Sequence, residues 1–217
     1  MKDAVIFDMD GLLLDTEVIA LRTFKEVCGD LGITFDMDVY RRCIGCNMQK
    51  IDLILAEFLP GYKDSNLIPH WNAAYREEAI LKPVPTKTGV IPLLKDLKNW
   101  GIPMAVATST AHKTARSKLE NAGIMHFFDD LVGGDMVTDS KPHPEIYLKA
   151  ADAIKTNPRH CLALEDSDNG VRAAHAAGML VFQVPDMVDP AAEVRALGHE
   201  IVDSLHHVHR RFIPPTG

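Results

Sequence analysis

The strongest constraint on the fold is an interruption. Residues 3–9 (DAVIFDM) read as a strand, and 17–32 (EVIALRTFKEVCGDLG) as a helix with Val18, Leu21, Phe24, Cys28 and Leu31 on one stripe and Gly32 as its stop. Residues 36–81 then carry helical patterns alone, at 48–59 (MQKIDLILAEFL) and 68–81 (IPHWNAAYREEAIL). A linker follows at 82–89 (KPVPTKTG), with two prolines and a glycine. From there strands and helices alternate. Helices are expected at 90–101, 112–123, 144–154 and 169–178, the last with Asp168 as N-cap, and strands at 102–110, 160–166, 180–184 and 200–204. Such alternation specifies an α/β protein, a Rossmann-like parallel sheet with helices on both faces. The helical block splits it. The expected organisation is a catalytic core of residues 1–14 and 84–217 with a small inserted helical domain at 15–83.

In an open parallel sheet, ligands bind beyond the carboxyl ends of the strands. Here those ends carry Asp8-Met9-Asp10, Thr108-Ser109-Thr110 and Glu165-Asp166-Ser167, and Lys141 stands just before a helix. Each group alone has an ordinary explanation: acids solvating a strand end, hydroxyls capping the next helix, a lysine in water. Four such groups at strand ends in one chain point to a shared site. Clustered carboxylates need compensating charge, and a hard, oxygen-preferring cation such as Mg²⁺ supplies it, held by Asp8, Asp166 and Glu165. Thr108 and Lys141 suit phosphate oxygens. Carboxylates, Mg²⁺ and phosphate donors together describe phosphoryl transfer. Side chains two apart on an extended strand point the same way. Asp8 can then attack phosphorus, forming an aspartyl-phosphate, while Asp10 protonates the leaving group and afterwards activates water. Gly11 lets the chain turn away.

Other properties narrow the class. Lys plus Arg number 23 and Asp plus Glu 30, a formal net charge of −7 that offers no general attraction to nucleic acid or anionic membranes. No window has the roughly 20 apolar residues of a membrane span, and Lys2 and Asp3 with a short apolar run do not make a signal peptide. Four cysteines fit a reducing compartment, so the chain is expected in the cytoplasm. Cys43 and Cys46 form one C-x-x-C without a strand-to-helix junction or a second ligand pair, so neither a redox nor a zinc site is expected. His199, His206, His207 and His209 lie near the C-terminal end without shared spacing, and no metal is expected on them.

Four stretches, FDMDGLLLDTE, ATST, SKPHPEIYLKAA and LALEDSDNGVRAAHAAGM, resemble the motifs of the haloacid dehalogenase superfamily of phosphohydrolases. The likeness extends over essentially the whole chain, to the subgroup with a helical cap that includes β-phosphoglucomutase and pseudouridine-5′-phosphatase. It implies that Asp8 is nucleophile and metal ligand, and that Asp10 is acid/base and lends its backbone carbonyl to Mg²⁺. It further implies phosphate binding by Thr108, Lys141 and the Ser109 backbone, and metal binding by Asp166, with Glu165 direct or one layer behind. The inserted block becomes a cap that closes over the site. One departure bears on the reaction: the mutase pattern has a histidine five residues after the aspartate of its D-T pair, where this chain has Ala20. That favours water as the final acceptor, hence a phosphatase for small phosphate monoesters, sugar or nucleoside phosphates, over a phosphomutase. A receiver-like signalling domain also uses acids, a hydroxyl and a lysine, but takes its acceptor from a later strand; a non-catalytic phosphate-binding protein is a further alternative. Substrate choice is expected in the cap at Arg41, Arg42, Cys46, Asn47 and Gln49, which could equally be an ordinary exposed loop. The expected partner is a small phosphorylated metabolite, not nucleic acid or membrane, and the chain is expected to be a monomer.

Overall fold

The structure, a computed structural model, describes residues 2–44, 46 and 48–212. It contains one six-stranded sheet: β1 (Ala4–Phe7), β2 (Met104–Ala107), β3 (Asp130–Val132), β4 (Cys161–Glu165), β5 (Leu180–Gln183) and β6 (Glu200–Ile201). Their order is β3-β2-β1-β4-β5-β6 and every pairing is parallel. The chain steps outward from β1 through β2 to β3, then returns to β1's other side and steps outward again through β4, β5 and β6. The reversal lies between β1 and β4, the place where an open α/β sheet leaves a crevice at its carboxyl ends.

Two compact units make up the chain: Met1–Asp15 with Val84–Gly217, and Thr16–Pro83. The first holds the sheet. Short apolar strands alternate their side chains between its two faces. Ala4, Ile6, Ala105, Ala107 and Ala163 pack with α7 (Glu145–Ala153), α8 (Asp168–Ala176) and α9 (Ala192–Arg195). Small residues on that face let the helices approach closely. Val5 and Phe7, of opposite parity, face the other side, where Phe7 meets Phe128 edge to face at 5.7 Å. Helices α5 (Val90–Asn99), α6 (His112–Asn121) and α10 (Leu205–Phe212) complete the unit.

Among its described residues the second unit has helices and no strand: α1 (Thr16–Asp30), α2 (Met37–Cys43), α3 (Met48–Phe58) and α4 (Leu67–Ala79). Its core centres on Phe24, whose ring lies 5.0 Å from Trp71 and 5.1 Å from Tyr40. Trp71 Nε1 donates to Ala20 O at 3.1 Å, so the half-buried indole nitrogen is satisfied.

Several details differ from the sequence reading. Helix α2 was not distinguished within the helical block; Asp36 starts it by accepting from Asp38 N and Val39 N. Strand β3 was missed, having three residues and beginning with an aspartate. Val18, on the apolar stripe of α1, is 52% exposed, because the Phe24 cluster reaches back no further than Leu21. The N-cap of α8 is Ser167, whose side chain accepts from Gly170 N, not Asp168. Asp168 instead accepts from Ala191 N and Gln183 Nε2. Among the described residues no helix is long and apolar enough to cross a membrane. All four cysteines are free.

Candidate active site

Three neighbouring strands deliver their next residues to one rim. Asp8 follows β1, Thr108 follows β2 and Glu165 ends β4 with Asp166 behind it. The ladder persists one step past the strands, with Asp8 N donating to Leu164 O at 2.9 Å and Thr108 N to Val132 O at 3.0 Å. Backbone pairing therefore fixes where these side chains start. Gly11 (φ +84°) turns the chain back, and a Cβ there would lie 2.3 Å from Asp166 Oδ2, so only glycine fits.

Lys141 knits the rim together. Its Nζ donates to Asp8 Oδ1 at 2.6 Å, Glu165 Oε1 at 2.5 Å and Ala107 O at 3.1 Å. The loop that carries it is tied down by Glu145, whose carboxylate accepts from the backbone of Asp139 and Thr138. The Asp139 N–H foremost, then Lys149 and the Thr138 N–H, hold Glu145 down at about 2. Glu165 is fully buried, and both its oxygens are engaged. Oε1 takes Lys141 and the Tyr147 hydroxyl at 2.6 Å; Oε2 takes the backbone N–H groups of Asp166 and Ser167 and the Ser167 hydroxyl. Such a carboxylate works as an anchor, aiming Lys141 at Asp8 and fixing the turn that presents Asp166.

Burial pushes the Asp8 carboxyl up to about 8, against the pull of Lys141 and with help from the negative charge of Glu165 and Asp10. Burial alone would lower Lys141, but Asp8 and Glu165 outweigh it and hold its pKa above the usual lysine range. The site thus concentrates acids around one buried ammonium. Oxygen atoms of Asp8, Glu165 and Asp166 all lie within 4.8 Å of one another. An all-oxygen, acidic donor set of this size matches a hard divalent cation.

Asp10 is held apart from this cluster. Lys118 Nζ donates to its Oδ1 at 2.8 Å and Thr110 Oγ1 to its Oδ2 at 2.7 Å. Lys118, on α6, is only 2% exposed. Neither it nor Tyr147 was picked out from sequence. A signal existed for the lysine: it shares the helix face of Ala115, Leu119 and Ala122, an apolar stripe where a charge needs a buried partner. Ser109 is exposed, and its carbonyl lies 2.2 Å from where a Cβ on Gly134 would sit, so the loop after β2 closes on a glycine.

The structure therefore brings together Asp8, Lys141, Glu165 and Asp166, with Asp10 held by Lys118 and Thr110 and with Thr108 and Ser109 on the loop that follows β2, all in the sheet unit. The remaining candidates belong to the helical unit. Arg41 pairs with Asp38 at 3.0 Å, Arg42 lies 4.4 Å from the Phe58 ring centre, and Cys46 Sγ donates to Arg42 O at 3.3 Å. Gln49 is exposed, and Asn47 lies outside the described residues.

Residues 5–184 match the family described as haloacid dehalogenase-like hydrolase. The fructose-1-phosphate phosphatase YqaB of Escherichia coli K12 is 33% identical over 177 residues, covering 81% of this chain and 92% of that protein. A phosphorylated carbohydrates phosphatase of Thermotoga maritima is 36% identical over 183 residues, covering 82% of each. Among solved structures, a hydrolase of the same family from Deinococcus radiodurans R1, with bound phosphate and sodium, superposes with a TM-score of 0.78 at 26% identity, covering 97% of this chain and 94% of that one. The chain belongs to the haloacid dehalogenase-like hydrolase family.

Proposed function

We propose that the protein is a Mg²⁺-dependent phosphatase acting on small phosphate monoesters, sugar or nucleoside phosphates, through an aspartyl-phosphate on Asp8. The observation that carries this reading is the buried Asp8 at the β1–β4 reversal, 2.6 Å from Lys141 Nζ and grouped with Asp166. Relatives named as phosphatases for fructose 1-phosphate and phosphorylated carbohydrates support the substrate class.

Asp8, the Asp10 backbone carbonyl and Asp166 would hold Mg²⁺. The carboxylate oxygens of Asp8 and Asp166, grouped with Glu165 within 4.8 Å of one another, suit that ion. When bound, the ion neutralises carboxylates and phosphate so that an anionic nucleophile can approach an anionic ester. Lys141, Thr108 and the Ser109 backbone receive the phosphate oxygens. Glu165 acts through Lys141 and the Asp166 turn. Asp8 attacks phosphorus as Asp10, oriented by Lys118 and Thr110, gives a proton to the departing oxygen. Asp10 then takes a proton from the water that releases phosphate and frees Asp8. The helical unit serves as a cap, with Arg41, Arg42, Cys46 and Asn47 selecting the alcohol portion of the ester.

The test is release of inorganic phosphate from a panel of sugar and nucleoside phosphates with Mg²⁺. Asp8→Asn is expected to lower turnover by about 10³-fold or more. Full activity in that variant would refute the mechanism. Isomerised sugar phosphate without free phosphate would establish a mutase instead.

A further inference from the structure

The residues assigned so far leave one acid beside the cation site without a role. Asp186 follows β5, and its side chain is 12% exposed. Its Oδ1 accepts from Lys87 Nζ at 2.5 Å, and the same ammonium reaches Asp15 Oδ1 at 3.4 Å. Its Oδ2 is buried and, among the described residues, has no hydrogen-bond partner. A buried carboxylate oxygen without a donor is costly, and native proteins seldom leave one without a reason.

Its surroundings give the direction. The point that a Cβ on Gly11 would occupy lies 2.3 Å from Asp166 Oδ2 and 3.5 Å from Asp186 Oδ2. Two carboxylate oxygens from different strand ends thus approach the same glycine. Lys87 compensates the outer oxygen of Asp186 only. Like charges so placed are stable when something positive, or a donor polarised by it, stands between them.

We propose that Asp186 is a further carboxylate of the cation site, its Oδ2 accepting from water bound to the divalent ion that Asp8 and Asp166 hold, while Lys87 competes for its charge at the other oxygen. The inference rests on the Mg²⁺ reading above and adds a residue from the loop after β5. Outer partners of this kind orient a metal's own ligands and raise affinity.

The test measures Mn²⁺ binding to the full chain by titration calorimetry and electron paramagnetic resonance, with Mg²⁺ as competitor and no substrate. Asp166→Asn should abolish binding. Asp186→Asn should weaken it by about tenfold or more. Lys87→Met separates this role from a structural ion pair, because it removes a competing cation but keeps the carboxylate, so binding should tighten by about threefold. Asp186→Asn binding like the wild type, while Asp166→Asn does not bind, would overturn the inference and leave the metal reading intact. Equal weakening in Asp186→Asn and Lys87→Met would overturn it too, making the pair a strut. A wild type that binds no Mn²⁺ would overturn both readings. If Asp186→Asn does not fold, Lys87→Met decides: tightening supports the role, and weakening overturns it.

Discussion

Asp8 is 6% exposed and sits among like charges, so the native state holds its proton more tightly than the unfolded chain does. An unfolded aspartate titrates near 3.9; this one is pushed up to about 8. Between those values the native protein binds more protons than the unfolded one, so the contribution of Asp8 to stability falls as pH rises through that window. The value of about 8 already includes the pull of Lys141, so without divalent cation the wild type is expected to lose stability over this window. Without divalent cation, Asp8→Asn should therefore unfold at a higher temperature than the wild type at pH 8, each kcal/mol being worth ~2–4 °C in a chain of this size, and the gap should close towards pH 5. Thermal unfolding with a chelator at both pH values checks this; a gap that does not change with pH would contradict it. The variant that stops turnover is the one expected to stabilise the fold, as happens where charge is buried for chemistry rather than for packing.

Helix α8 shows how one element serves the site. Its first turn follows directly on β4, and the Ser167 hydroxyl caps Gly170 N while donating to Glu165 Oε2. Ser167→Ala loses both bonds and should cost about 1–2 kcal/mol. In an exposed helix Gly→Ala stabilises by about 1 kcal/mol. A Cβ at position 170, however, would lie 1.8 Å from Glu165 Oε1, an atom fixed by Lys141 and Tyr147. Gly170→Ala should instead destabilise by about 1–3 kcal/mol, read as a lower urea midpoint with an unchanged slope. A stabilised variant would show that Glu165 can move. What sequence revealed of the site follows the same logic of distance along the chain. Asp8, Asp10, Glu165 and Asp166 were legible because each ends an apolar run, a local signal. Lys118, Tyr147 and Asp186 were not, because their partners are remote in sequence: Lys118 meets Asp10 and Lys87 meets Asp186 only after folding. Strand β3 escaped for a related reason. Three residues opening on Asp130 carry no alternation, and its strand character comes from pairing with β2.

At the scale of the whole molecule, the chain enters and leaves its helical insertion through a single doorway. Asp15 N donates to Pro85 O at 2.9 Å, Lys87 N donates to Leu13 O at 3.0 Å, and Leu14 bridges Thr86 in antiparallel fashion. Two of the hydrophobic clusters among the described residues are drawn from separate stretches. The cluster of Ile6, Ala105, Tyr147 and Ala163 uses only the sheet unit, and that of Phe24, Tyr40 and Leu55 only residues of the helical one. A domain with its own core can fold alone, and closing a gap whose ends already pair costs little loop entropy. Replacing residues 17–82 by Asn-Gly should therefore turn the doorway into a hairpin and leave a cooperatively folding sheet unit. That unit keeps Asp8, Asp166 and Asp186, so it should still bind Mn²⁺. It should lose discrimination among phosphate esters if the helical unit does the selecting. Amide spectra and urea unfolding of the shortened chain test the first expectation, and ester profiles the last. A chain that collapses without cooperative unfolding would show that the sheet unit needs its insertion to fold, and the two cores would then have to be treated as one.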